Sequence, residues 1–304
     1  MTGTTDLTPV VVVLGMHRSG TSVGMSVLSA LGVACGQDLV PPGRSNLAGF
    51  WEHAEIVAVQ ERLLARLDRV WHGPHGTFPL PDGWLEGDAA RQAEEALAGI
   101  VARETAAHRG QVWGFKDPRT MRLWPLWERI WKRLAIAPQP VVMVRHPDAV
   151  IRSLRKHNGL EPSRGLLVWL QHNLEALRHV GDRLKVVVDF DPLVNDPEAE
   201  VARIAAALSD VIDITDAARR AAVAKVSPDL RTHRATQSAP VNTMAADVYA
   251  ALRCLAGGQA DEARLSAIVA NYDAASDLFA SWRTDRSNVL TDWIVRFLVS
   301  RRNG

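Results

Sequence analysis

A glycine-bounded loop with one arginine is the first part of this sequence whose residue types and spacing could do chemistry. Gly15 and Gly20 bracket four residues, Thr21 and Ser22 follow, and Arg18 supplies the strong cation. Backbone N–H groups in such a loop, together with the positive end of the helix that follows, can bind a phosphate. A nucleotide-binding phosphate loop of this outline carries a lysine where Thr21 stands. The sequence therefore predicts a phosphate site whose cation lies upstream, at Arg18.

A second candidate phosphate site follows a later apolar run. Arg145 comes directly after Val141–Val144, and Ser153 lies eight residues further on, in a helix that Pro147 is placed to open. Ligands of doubly wound folds bind at the carboxyl ends of the strands. There an arginine fork and a hydroxyl can hold one phosphate from two sides. An exposed arginine and an unrelated helix serine are the alternative that these residues alone leave open.

Short apolar strands alternate with helices along the chain and would position both loops. The predicted strands are residues 10–14, 112–115, 141–144 and 184–188, and the clearest predicted helices are 21–31, 88–108, 147–156 and 162–180. This alternation predicts an α/β fold, with a P-loop-type doubly wound parallel sheet flanked by helices. We expect a single domain over residues 1–304, with its core at about 10–210 and a helical C-terminal portion at about 211–304.

Composition and charge limit the class of protein. The chain has 304 residues, 47% of them hydrophobic and 23% charged, and a formal net charge of +1. No overall field therefore favours nucleic acid or an acidic membrane as a partner. Cys35 and Cys254 have no metal-ligand spacing, and Met1–Pro9 lacks the pattern of a signal peptide. No apolar run is long enough for a membrane span, so the expected location is cytoplasmic.

Three segments together resemble a known family. Gly15–Ser22 is similar to the 5′-phosphosulfate loop of bacterial P-loop sulfotransferases that use 3′-phosphoadenosine 5′-phosphosulfate (PAPS), many of which have lysine at the place of Arg18. Arg145–Ser153 resembles the 3′-phosphate motif of the same family, and Lys116–Arg119 resembles a segment common in its bacterial members. The resemblance covers about residues 10–210.

The resemblance implies transfer of a sulfuryl group from PAPS to a hydroxyl or amine of a saccharide or other small-molecule acceptor, without a metal. It implies that Arg18 contacts the bridging oxygen and the transferring sulfuryl group, and that Arg145 and Ser153 hold the 3′-phosphate. The donor-binding residues that it implies are Arg18, Ser19, Gly20, Thr21, Ser22, Arg145, Ser153 and, in a late basic loop that matches only by location, Arg231.

Transfer to a hydroxyl also needs a group that accepts the proton, and members of the family use a glutamate or a histidine. The candidates are Glu52, His53 and Glu55, and more distantly Asp117. Glu52 is favoured because Phe50–Trp51 just before it could line an acceptor pocket. The alternative is an acid that simply favours a helix N-terminus. Lys116 ends a predicted strand and could reach the sulfate or the acceptor, or form an ion pair with Asp117. Arg119 could instead belong to the side of the site that holds the 3′-phosphate, and the sequence does not decide this.

Two other functions stay open at this point. A small-molecule kinase that uses ATP and magnesium would need the missing lysine, although Asp189 after a strand could stand in for a magnesium-holding aspartate. A non-catalytic nucleotide-binding module would bind ligand without turnover. The apolar stripe at Ser287–Arg302 predicts a last helix that packs on the domain, with a homodimer seam or membrane-surface contact as the alternative.

Overall fold

The structure is a computed structural model that describes residues 7–43, 49–73, 75–180, 184–227, 243–259 and 263–274. Contacts divide the chain into two compact units, residues 1–261 and 262–304. In the second unit, the described residues 263–274 are helical. The candidate site lies in the first unit.

Within the described residues, four parallel strands form the sheet, in the order β2-β1-β3-β4. The strands are β1 (Thr8–Leu14), β2 (Trp113–Lys116), β3 (Ile136–Val144) and β4 (Val186–Asp189). The side chains of Val10–Val13 are fully buried, as expected for a strand that is covered on both faces. The predicted parallel α/β sheet is therefore confirmed.

Strand β3 is longer than its apolar run predicts. It pairs with β1 from Ile136 onward, through Pro138 and Pro140, whereas its ladder with β4 begins only at Val141. The first half of β3 is thus an edge on one side, where prolines lacking an N–H are tolerated. Sequence reasoning placed this strand at residues 141–144 only, where the apolar run lies.

Helices connect the strands and follow the last one. They are α1 (Thr21–Ala30), α2 (Ala54–Arg66), α3 (Asp88–Ala107), α4 (Trp124–Arg133), α5 (Pro147–Asn158), α6 (Pro162–Val180), α7 (Phe190–Asn195), α8 (Pro197–Ala207), α9 (Asp216–Val223) and α10 (Thr243–Ala256). None of the helices in the described part of the chain is long and apolar enough to cross a membrane. The last predicted helix, Ser287–Arg302, lies outside the described residues.

The strand order reverses between β1 and β3. From β1 the chain crosses to β2 on one side, and it later returns to β3 on the other side of β1. The loops that leave the carboxyl ends of β1 and β3 therefore diverge and open a crevice, which is the usual ligand site of such sheets. Gly15 directly follows β1 and Arg145 directly follows β3, so both predicted phosphate loops lie at this crevice.

Candidate active site

Two glycines allow the loop after β1 to lie close to its neighbours. Gly15 has φ +144°, and a Cβ there would lie 2.6 Å from the carbonyl oxygen of Met143. Gly20 has φ +86°, and a Cβ there would lie 2.3 Å from the ring of Phe190. Only glycine fits both the backbone conformation and the space. Helix α1 begins at Thr21, and the N–H groups of its first turn have no partner within the helix.

Arg18 contacts the second predicted phosphate motif directly. Its Nε donates a hydrogen bond to Ser153 Oγ at 2.9 Å. Its φ of +71° is left-handed, a conformation that costs a non-glycine residue about 1–3 kcal/mol and concentrates at functional sites. Burial lowers the pKa of Arg18. The structure thus joins two residues that sequence reasoning assigned to separate phosphates.

Arg145 fastens the two loops together. It is buried, and its Nη1 donates to the carbonyl oxygen of Arg18 at 3.3 Å. Its guanidinium lies 4.3 Å from the centroid of the Phe190 ring, within the range of a cation–π interaction. Trp169 of α6 donates from Nε1 to the carbonyl oxygen of Arg145 at 3.1 Å. The arginine is therefore held in a fixed place at the end of β3.

The buried hydroxyl of Ser19 bears on whether the loop after β1 can hold a phosphate. Ser19 is fully buried, and within the described part of the chain its Oγ has no hydrogen-bond partner. Such a group costs free energy unless a ligand or water satisfies it. Thr21 is also buried, and Ser22 Oγ donates to the carbonyl oxygen of Phe50 at 3.2 Å. These residues fit a phosphate group. Arg231 lies outside the described residues.

Lys116, at the carboxyl end of β2, links the phosphate loop to Glu52. Its buried Nζ lies 2.7 Å from Glu52 Oε1 and donates to the carbonyl oxygen of Phe50 at 2.8 Å. The same Nζ lies 3.5 Å from Ser22 Oγ. Trp51, between Phe50 and Glu52, has a left-handed φ of +58°, so the chain turns sharply just before the glutamate. The structure therefore brings Lys116, Glu52 and the loop into one cluster.

Arg119 and Asp117 support Glu52 from its other side. Arg119 Nη1 lies 3.6 Å from Glu52 Oε2 and 2.7 Å from Asp117 Oδ1. Asp117 is fully buried and also accepts a hydrogen bond from Gln60 Nε2 at 2.8 Å. Burial alone would lower the pKa of Arg119, but the carboxylates of Asp117 and Glu52 raise it. The structure thus places Arg119 with Glu52, a choice that the sequence left open.

The environment of Glu52 changes its proton affinity. Burial raises the pKa of its carboxyl group, and the positive charges of Lys116 and Arg119 oppose this without reversing it. A carboxylate with a raised pKa accepts a proton more readily near neutral pH than an ordinary glutamate does. The surroundings of Glu52 therefore raise its proton affinity above that of an ordinary glutamate.

His53 faces another part of the molecule. Its Nε2 lies 3.4 Å from Glu104 Oε1 on α3, and its ring meets Trp113 edge-on with centroids 6.4 Å apart. Glu55, two residues further on, is exposed and pairs with Arg103. The structure places His53 on the α3 side of this segment, apart from the contacts that join Glu52 to Lys116.

Asp189 has contacts that sequence reasoning missed. Its carboxylate accepts a hydrogen bond from the Tyr249 hydroxyl at 2.9 Å, and it lies 3.4 Å from Arg253 Nε. It also accepts from the backbone N–H of Asp191 at 3.4 Å and so caps α7. Asp189 thus caps the N-terminus of α7 and holds α10 against the end of β4.

Sequence reasoning also missed two other residues of the candidate site. Phe190 closes on Gly20 and stacks on Arg145, and Gln60 bonds Asp117, but nothing local marks either residue as part of a site. Asp117 did carry a signal, because an aspartate before a proline is typical of a helix N-cap. Its side chain indeed accepts from the backbone N–H of Arg119 at 2.9 Å.

Known proteins resemble this chain in sequence pattern and in fold. A family model described as the sulfotransferase family matches residues 9–210. None of the curated protein sequences matches the chain. Among solved structures, the sulfotransferase domain from the curacin biosynthetic pathway has 17% sequence identity and a TM-score of 0.50, and the match covers 81% of this chain and 98% of that one.

Two further structures are similar at lower scores. The sulfotransferase domain from the Synechococcus PCC 7002 olefin synthase has 18% identity and a TM-score of 0.45, covering 88% of this chain and 95% of that one. Sulfotransferase STF1 from Mycobacterium tuberculosis H37Rv has 16% identity and a TM-score of 0.39, covering 80% and 77%. The curacin-pathway domain supports the fold, and the family model spans both phosphate loops and Glu52. The chain belongs to the sulfotransferase family.

Proposed function

We propose that this sulfotransferase takes its sulfuryl group from PAPS and passes it to a hydroxyl or amine of a saccharide or other small-molecule acceptor. The products are the sulfated acceptor and adenosine 3′,5′-bisphosphate. The single observation that carries the proposal is the meeting of two arginine-bearing loops, with Arg18 on Ser153, beside the Glu52–Lys116 pair.

The two loops suit a ligand with two separate anions. Ser19, Thr21 and Ser22, with the N–H groups that begin α1, would hold the 5′-phosphate. Arg145 and Ser153 would hold the 3′-phosphate. PAPS supplies a sulfuryl group whose departure leaves negative charge on the 5′-phosphate. Arg18 lies in the loop that holds this phosphate, and its guanidinium would stabilise the charge without a metal.

The cluster at the end of β2 suits the acceptor. Glu52 would take the acceptor's proton as the new oxygen–sulfur or nitrogen–sulfur bond forms and the sulfur–oxygen bond to the 5′-phosphate breaks. Lys116 lies between Ser22 Oγ and Glu52 Oε1, so its ammonium can orient the base and stabilise the sulfuryl oxygens. His53 would help to position the segment that carries Glu52 and would not itself accept the proton.

Neither alternative function is favoured. A kinase would need a cation at the place of Thr21, which is a buried hydroxyl residue. A module that only binds nucleotide would have no use for a buried carboxylate held by two cations, because such a cluster is costly to build.

A thermal-shift experiment distinguishes these functions. We expect adenosine 3′,5′-bisphosphate, in the presence of EDTA, to stabilise the full chain by about 2.7 kcal/mol at a concentration 100 times its Kd. Adenosine 5′-monophosphate, which lacks the 3′-phosphate, is the matched control and should stabilise less at the same concentration. Stabilisation by ATP with magnesium, and none by the bisphosphate, would contradict the proposal. A mass-spectrometric screen for sulfated products then identifies the acceptor.

A further inference from the structure

His172 of α6 keeps one buried ring nitrogen without a partner. Its Nδ1 lies 2.9 Å from the carbonyl oxygen of Val168, and because a carbonyl can only accept, Nδ1 carries the hydrogen. In a neutral ring, Nε2 is then a bare lone pair. His172 is fully buried, and among the described residues nothing donates a hydrogen bond to Nε2. Burial lowers the pKa of His172 to about 4, so the ring stays neutral at pH 7.

His17, next to Arg18 in the phosphate loop, lies beside this histidine. The two ring centroids are 6.2 Å apart at an interplanar angle of 70°. The other side of His17 is covered by Trp71, stacked at 4.3 Å. Nε2 of His17 is also buried and lacks a hydrogen-bond partner within the described chain. Burial lowers the pKa of His17 well below its ordinary value, so the pair is neutral.

Hydrogen bonds hold the surroundings of the pair in place. Arg122 clamps the segment that carries Trp71, because its guanidinium donates to three backbone carbonyl oxygens, those of Arg69, Gly76 and Phe78. Gln171, beside His172 on α6, donates to the same Phe78 oxygen at 3.1 Å. Leaving two buried polar atoms unsatisfied costs free energy. Two such atoms in fixed surroundings are expected where a ligand supplies the missing hydrogen bonds.

The charges around His17 limit what that ligand can be. Burial is the largest cause of the lowered pKa of His17. The positive charge of Arg119 lowers this pKa further, and the charges of Lys116 and Arg18 lower it by smaller amounts. These are the cations of the candidate site, and His17 directly precedes Arg18, so the histidine pair lies beside that site. Within the described chain neither ring forms an ion pair with a carboxylate, so the two neutral imidazoles offer an ammonium group no counter-charge and can accept the hydrogen of a neutral hydroxyl.

We propose that Nε2 of His172 and Nε2 of His17 bind a hydroxyl of the acceptor other than the one that is sulfated. This inference rests on the proposed function. The reacting hydroxyl has a single hydrogen, which goes to Glu52, so the hydrogen donated to His172 belongs to a second hydroxyl. The acceptor is therefore an uncharged compound with several hydroxyl groups, of the saccharide or polyol class, and its amines are not the reacting groups.

Crystal soaks of the full chain with adenosine 3′,5′-bisphosphate test this inference. Ethylene glycol is the neutral probe, and ethylenediamine, which has the same shape and is protonated at neutral pH, is its matched control. We expect a glycol oxygen at about 3 Å from Nε2 of His172, and no diamine there. Diamine at that place, no glycol oxygen at Nε2, or a protein group bonded to Nε2 would overturn the proposal.

A variant and a spectroscopic measurement complete the test. His172→Phe keeps an aromatic ring but removes the acceptor atom, so it should lose the glycol while the bisphosphate still stabilises it as it does the wild type. Nitrogen NMR of the wild-type histidines should show Nε2 of His172 without a proton at neutral pH, and a protonated Nε2 would also overturn the inference. Failure of the bisphosphate to bind the wild type would instead contradict the proposed function.

Discussion

At the ends of β1 and β3, Arg18 and Arg145 contact a hydroxyl, a carbonyl oxygen and an aromatic ring, whereas at the end of β2, Lys116 and Arg119 contact carboxylates. We call the first region the donor half and the second the acceptor half of the candidate site. These contacts of the donor half hold its two guanidinium groups in place. Those of the acceptor half balance each buried cation with a buried anion.

This difference indicates different tasks. A crevice with two arginines, and with a buried Ser19 hydroxyl that lacks a hydrogen-bond partner in the described part of the chain, suits binding of an anionic nucleotide. A compensated network around Glu52 suits positioning of one carboxylate and control of its pKa. Variants of the donor half should therefore change nucleotide affinity, and variants of the acceptor half should change the chemical step or the stability of the fold.

The largest expected effect is that of Glu52→Gln on turnover. The amide keeps the shape of the side chain but cannot accept the acceptor's proton, so the rate should fall by about 10²–10⁴-fold. The Kd for the bisphosphate should stay within about twofold, because the donor half is unchanged. The measurement is release of adenosine 3′,5′-bisphosphate from PAPS with the acceptor that the product screen identifies.

Glu55→Gln is the matched control for this variant, because Glu55 is an exposed glutamate three residues further along the chain. It should retain wild-type turnover. If Glu52→Gln turns over as fast as Glu55→Gln, then Glu52 is not the base.

Removal of Asp117 should be the next largest effect. Asp117→Ala leaves Arg119 buried beside Glu52 with one carboxylate fewer, and breaking a buried ion pair in this way costs about 3–5 kcal/mol of unfolding free energy. Urea denaturation measures the loss. Asp213→Ala, at an exposed position, should change stability by no more than about 0.5 kcal/mol. Equal effects of the two variants would show that the network is not compensated as described.

Arg119→Gln should shift the pH dependence of the rate. The base works only when unprotonated, so activity is lost as the pH falls through the pKa of Glu52. Burial raises that pKa, and the charge of Arg119 lowers it again. Removing this charge should move the acidic limb of the pH–rate profile to higher pH, whereas Arg133→Gln, at an exposed ion pair, should leave it in place. A shift of the limb to lower pH would contradict the placement of Arg119.

The smallest expected effect is that of Ser153→Ala on nucleotide affinity. It removes one hydroxyl from the donor half, and a single hydrogen bond of this kind contributes about 1 kcal/mol, or about fivefold in Kd. Isothermal titration with the bisphosphate measures the change. Ser209→Ala, an exposed serine remote in sequence from both loops, is the control. An unchanged Kd in Ser153→Ala would separate this hydroxyl from the nucleotide.

The two halves also differ in how far the sequence predicts them. Gly15, Arg18 and Arg145 follow buried strands whose apolar runs are visible in the sequence, and strand ends of a parallel sheet must converge at one edge. Lys116 is predicted for the same reason. The donor half could therefore be assembled from local patterns, even though its Arg18–Ser153 contact was not foreseen.

The acceptor half depends on long-range packing. Glu52 and His53 are neighbours in sequence, but one meets Lys116 and the other meets Glu104, because the backbone at His53 is extended and bridges to Leu39, and adjacent side chains of such a segment point to opposite sides. The pairing of His17 with His172 likewise arises only where α6 packs against the phosphate loop. Such contacts are set by tertiary packing and not by spacing along the chain.

The most direct test of the account is the affinity for adenosine 3′,5′-bisphosphate, measured by isothermal titration in EDTA with the wild type, Arg145→Glu and Glu52→Gln. We expect metal-independent binding by the wild type, a loss of at least about 100-fold in Arg145→Glu because a carboxylate replaces the cation, and wild-type affinity in Glu52→Gln. Arg155→Glu, an exposed position on the same helix α5, is the charge-matched control and should bind as the wild type does. Binding that requires magnesium, or equal affinities for Arg145→Glu and Arg155→Glu, would contradict the division of the site into a donor half and an acceptor half.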